Sequence, residues 1–86
     1  MKVTLPSPVA DYTAGRRVVD ARGVSLAAML ADLERQFPGI RFRMIDEQDA
    51  IRPHIKVFVN REPVATLAHP LAEADEVLIV AALSGG

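Results

Sequence analysis

The chain has 86 residues, half of them apolar and 24% charged, which suits one folded domain with one core and leaves no room for a second. Ten basic residues are interleaved with eleven acidic ones for a net charge of −1, so a broad positive face for nucleic acid is not expected. The absence of cysteine excludes a disulfide frame, a thiolate nucleophile and a Cys-based metal site, and no apolar run approaches the roughly 20 residues of a membrane span.

Met1-Lys2-Val3-Thr4-Leu5 reads as a short first strand with no apolar signal segment, and a cytoplasmic protein is the expectation. Pro6 and Pro8 lack N–H donors, which places the strand end at a sheet edge or bulge. Thr13-Ala14-Gly15 is a turn signal, and Arg16 to Asp20 reads as the returning strand of a hairpin. Ser25 is a good N-cap for a helix whose apolar face is Leu26, Met29, Leu30, Leu33 and Phe37. Val24 and Met29 stand at the positions of a hydrophobic staple, and Pro38-Gly39 stops the helix.

Ile40, Phe42 and Met44 alternate with Arg41 and Arg43, a pattern that suits either a short strand or an irregular segment tucked under the core. Asp46 to Asp49 is a polar loop. Ile55 to Val59 reads as a strand with Asn60-Arg61 as its turn, and Val77 to Val80 as a strand covered on part of both faces. A hairpin, a helix long enough to cross a sheet, and further strands predict an α+β mixed sheet with one main helix on one face. The right-handed crossover rule puts the last strand in the middle, parallel to the first, which is the β-grasp. Residues 1–82 form this domain and residues 83–86 an extended tail.

The tail, Leu83-Ser84-Gly85-Gly86, carries the chemistry. Two terminal glycines arise by chance in roughly 0.5% of chains at ordinary glycine usage. Four extended residues reach at most about 14 Å from the fold, which suits insertion into another protein's pocket. A terminal carboxylate is a poor acyl donor until activated, and attack on the α-phosphate of ATP converts it to an acyl-adenylate. Residues without a Cβ give the thinnest cross-section in the narrow site this needs, and accept whatever dihedrals it imposes. Attack on the adenylate by a sulfur donor gives a thiocarboxylate, and attack by an amine gives an amide. With no cysteine, the thiocarboxylate is the sulfur-bearing form open to the unmodified chain.

The β-grasp order together with Val57-Phe58-Val59-Asn60, Asp75-Glu76-Val77 and Gly85-Gly86 resembles the MoaD/ThiS family of ubiquitin-like sulfur carriers. Tyr12-Thr13-Ala14-Gly15 and Phe37-Pro38-Gly39 are most similar to carriers of the molybdopterin-synthase and cysteine-synthesis types. The resemblance implies that Gly86 is adenylated by a ubiquitin-activating-like enzyme and becomes a thiocarboxylate. The sulfur then passes to a sulfur-accepting synthase subunit or enzyme. It implies no bound cofactor, with ATP and Mg supplied through the activating partner, and a carrier with no catalytic residue of its own. Ser84 and Ala81-Ala82 depart from the family's usual Ala and Pro-containing stretch. The alternative is an interaction or conjugation module that joins its diglycine to lysines.

The pleat extends the argument to docking. If Val77, Ile79, Val57 and Val59 face the helix, then Leu78, Val80 and Phe58, with Pro6 and Pro63, form an apolar patch beside the tail. Other groups read more plainly. His54 and His69 lack metal-ligand spacing, and Asp46, Glu47 and Asp49 lack the full calcium-loop pattern. Arg41, Arg43 and Arg52 read as a solubilising surface, there being no Gly-rich phosphate loop.

Overall fold

The computed structural model describes residues 1–82, so the expectations for Leu83, Ser84, Gly85 and Gly86 lie outside the described residues. Strands β1 (Lys2–Thr4) and β2 (Val18–Asp20) pair antiparallel with Val3 opposite Val19. Strand β3 (Ile55–Val59) turns through Asn60 and Arg61 into the edge strand β4 (Glu62–Val64). Strand β5 (Glu76–Ala81) lies between β1, to which it is parallel, and β3, to which it is antiparallel. The order β2-β1-β5-β3-β4 puts the last strand in the centre of the five-stranded sheet, as the crossover argument predicts. This is the β-grasp.

Helix α1 (Leu26–Gln36) covers one face of the sheet. Ser25 caps it, its hydroxyl accepting the Ala28 N–H at 3.1 Å. Leu26 and Ala27 N–H donate to the carbonyls of His69 and Leu67, each at 2.9 Å, so the first turn leaves few orphan donors. Leu26, Met29, Leu30 and Leu33 are buried in one cluster with Val3, Val57, Val77 and Ile79 of the sheet. The expected staple does not form, because Val24 is 82% exposed and its carbonyl instead accepts the Leu71 N–H at 3.0 Å. Gly23 is needed just before the helix, since a Cβ there would stand 2.3 Å from the Met29 backbone nitrogen.

Two segments differ from the simple strand reading. Between β1 and β2 the chain forms a 3₁₀ helix, Ser7–Thr13, where a hairpin alone was expected. Pro6 and Pro8 cannot continue a ladder, and their fixed φ suits the first positions of a helical turn. The Pro6 carbonyl accepts the Val9 N–H at 3.1 Å, and Ala14 and Gly15, both at positive φ, end the segment. The second segment is α2 (Ile40–Met44), which is neither strand nor irregular. Ile40 and Met44, four residues apart, are both buried while Phe42 points outward, so the helical period wins over the apparent alternation. Glu34 caps α2 from α1, accepting the N–H groups of Gly39 at 2.8 Å and Arg41 at 3.0 Å. Those two bonds hold its carboxyl below the ordinary range.

Candidate functional site: the end of the central strand

The β3–β5 ladder runs from Val59 opposite Val77 to Ile55 opposite Ala81. One further bond follows it, from Ala82 N–H to the His54 carbonyl at 2.7 Å. The chain is therefore held to the sheet up to the residue before Leu83. This end of β5 opens on a hollow lined by Pro8 and Val9 of the 3₁₀ segment, Phe42 and Arg43 of α2, and Arg52, His54 and Ala81.

On the sheet face away from α1, the register aligns one residue from every strand. Val18, Thr4, Leu78, Phe58 and Pro63 follow one another across β2, β1, β5, β3 and β4. Leu78 is 42% exposed and Val18 51%, while Phe58 and Val80 are half-buried and Pro63 is exposed. Val80 stands opposite Lys56 towards the end where the chain leaves. Charged residues close the other end, with Lys2 between Asp20 and Glu76. Of the five residues expected in this patch, Pro6 is misplaced: it is buried at the start of the 3₁₀ segment. Thr4 and Val18 take the β1 and β2 positions instead. The same pleat rule applied to Val18, beside inward-facing Val19, was the signal that could have found them.

The weak internal motifs of the sequence meet as physical units. Asn60 Nδ2 donates to Asp75 Oδ1 at 2.8 Å, and Asn60 Oδ1 accepts the Glu76 N–H at 3.0 Å. Asp75 Oδ2 accepts the Ala72 N–H at 2.8 Å. That backbone bond first, and the Asn60 amide second, hold the Asp75 carboxyl below its ordinary value. On the other side of the molecule, a Cβ at Gly39 would stand 2.9 Å from Tyr12 Cε1. Arg16 also lies over the Phe37 ring, 5.5 Å from its centroid.

Among the described residues no group of three or more His, Asp or Glu side chains could hold a metal ion, and no helix is long and apolar enough to cross a membrane. Arg41 is paired with Asp49 at 3.1 Å, and Arg52 donates through Nε to the Phe42 carbonyl at 2.8 Å. Among the described side chains no hydrogen bond joins a nucleophile to a base.

Comparison with known proteins agrees with this geometry. The ThiS family matches residues 3–86. The sulfur carrier protein CysO of Mycobacterium tuberculosis is 34% identical over 98% of this chain and 96% of its own length. A chain of the Amycolatopsis orientalis BexX/CysO complex superposes with a TM-score of 0.90 at 28% identity, covering 99% of this chain and 98% of that one. The small archaeal modifier protein 1 of H. volcanii superposes with a TM-score of 0.76 at 27% identity, covering 96% and 97%.

Proposed function

The chain belongs to the ThiS family, and from that premise we propose that it is a sulfur carrier working through the carboxyl group of Gly86. A carboxylate oxygen of Gly86 attacks the α-phosphate of ATP in an activating enzyme, forming the acyl-adenylate and releasing pyrophosphate. A sulfide-equivalent donor then attacks the acyl carbon, and AMP leaves with the carboxylate oxygen. The resulting thiocarboxylate delivers sulfur to an acceptor enzyme in cysteine or cofactor biosynthesis. ATP and Mg belong to the activating enzyme, and this chain supplies the acyl group.

The observation that carries the reading is the bond from Ala82 N–H to the His54 carbonyl. It ties the central strand to the sheet as far as Ala82, four residues before Gly86, and so supports a reading in which the base of the tail is held by the fold. The open face, with Leu78, Phe58, Val80, Pro63, Thr4 and Val18, supplies the apolar area on which a partner docks. The likeness to CysO favours the cysteine branch over a permanent place in a molybdopterin-synthase-like complex. A cytoplasmic setting follows from the same reading.

The test is ATP–pyrophosphate exchange with the organism's purified ubiquitin-activating-like enzyme. The native chain is expected to support exchange, and a chain carrying one extra alanine after Gly86 to lose it. Equal exchange by both chains would overturn the reading. A second reading, conjugation of Gly86 to target lysines, is favoured by the likeness to a small archaeal modifier protein. It requires Gly-Gly remnants on lysines in digests of cells expressing the chain.

A further inference from the structure

Beside the point where the chain leaves the sheet lies a surface unlike the open face. Phe42 is 55% exposed although Ile40 and Met44, two residues to either side, are fully buried. The Arg52 guanidinium lies over its ring, 4.6 Å from the centroid, while Arg52 Nε donates to the Phe42 carbonyl at 2.8 Å. Ring and cation are thus held as one unit. Arg43 and His54, both exposed, share the same hollow with Ala81, and among the described residues no carboxylate lines it.

Two acids of the loop after α2, Asp46 and Asp49, are engaged by other groups. Asp49 pairs with Arg41 at 3.1 Å. Asp46 accepts the N–H groups of Gln48 and Ala50 at 2.8 and 3.0 Å, and the charge of Arg52 reaches it more weakly. In a chain of net charge −1, the rim at the chain exit is locally cationic and carries an exposed aromatic ring.

We propose that Phe42, Arg43 and Arg52 form a second contact with the activating enzyme, taking an acidic surface around the mouth of the channel that receives Gly86. The inference rests on the sulfur-carrier reading. Geometry supplies the continuity, since residues 83–86 span at most about 14 Å. An enzyme that encloses the Gly86 carboxyl must therefore bring the mouth of its channel close to Ala81 and this rim. Arginine and aromatic side chains are enriched at interface centres. Charge complementarity of this kind acts chiefly on the association rate and weakens with salt.

The test uses R43E, because Arg52 also holds the α2 backbone, with R43K as the conservative control. The readout is kcat/KM for ATP–pyrophosphate exchange with the purified activating enzyme, from about 20 mM to about 500 mM NaCl. R43E is expected to lower kcat/KM about tenfold at low salt, with the gap closing at high salt and kcat at saturation unchanged. R43K is expected to stay near the native value, and both variants to unfold at the native temperature. Equal kcat/KM for R43E and the native chain at every salt concentration would overturn the proposal, as would a loss that salt does not diminish. Absence of exchange with the native chain itself would remove the sulfur-carrier reading and this inference together.

Discussion

Asn60 and Arg61 both sit at positive φ, +49° and +73°, where the chain reverses between β3 and β4. Asparagine tolerates that conformation better than most residues, and here its amide also bonds Asp75 and the Glu76 N–H. The tight turn is thereby joined to the first residue of the central strand. Asn60→Ala is expected to lower stability by about 1–2 kcal/mol in urea unfolding, through loss of both side-chain bonds. The turn itself was legible in the sequence. The partnership was not, because Glu76 lies 16 residues away and no periodicity reports such a contact. Asp32, Glu34, Asp46 and Asp75 are all held below their ordinary values, chiefly by backbone N–H donors. With folded values below the unfolded ones, their contribution is complete above the ordinary carboxyl range of about 4. It is lost as pH falls through the lowered folded values. Stability is therefore expected to drop as pH falls below about 4. Asp75→Asn should flatten part of that drop, and urea unfolding across the pH series measures it.

At the scale of elements, α1, β3 and β5 were readable because each has one dominant period and clean end signals. Ser25 and Pro38-Gly39 bracket α1, and the alternation of Val57, Phe58 and Val59 matches the burial observed. The 3₁₀ segment and α2 were obscured for the opposite reason: each is too short to show a period. Five residues with apolar side chains at 40, 42 and 44 fit a strand as well as a helical turn, and only packing against α1 and the 3₁₀ segment decides. The close approach at Gly23 left no trace in the sequence beyond the glycine itself. Gly23→Ala is expected to destabilise the fold by about 2 kcal/mol or more, since a backbone and not a flexible side chain blocks the added Cβ. Thermal unfolding would register this as a clear fall in Tm. On the sheet, Leu78→Asp places a charge in the middle of the exposed row. It should raise the KM for the activating enzyme at least tenfold while leaving Tm nearly unchanged, because Leu78 faces away from α1. A collapse of Tm instead would contradict the open-face assignment.

At the scale of the whole molecule, the β-grasp brings the end of its central strand, at Ala81, to the edge of two surfaces of different chemistry. The open sheet face offers apolar area, and the rim formed by Phe42, Arg43 and Arg52 offers an aromatic ring and positive charge. The open face was largely legible from the pleat, apart from Pro6, whose role in starting the 3₁₀ segment buries it. The rim was not legible, because it gathers residues from α2, the following loop and the start of β3 around Ala81. The chemistry of the tail is an expectation from residue types alone, and it lies outside the described residues. The most direct measurement of the central claim is intact-mass spectrometry of protein taken from its native cells, before and after a thiol alkylator. Exchange of oxygen for sulfur is almost isobaric with oxidation of Met1, Met29 or Met44, but the chain has no cysteine to compete for the reagent. A single alkylation mapped to the C-terminal peptide is the expected result and would establish the thiocarboxylate at Gly86. No alkylation in sulfur-replete cells, with Gly86 joined to lysine or left as a plain carboxylate, would contradict it.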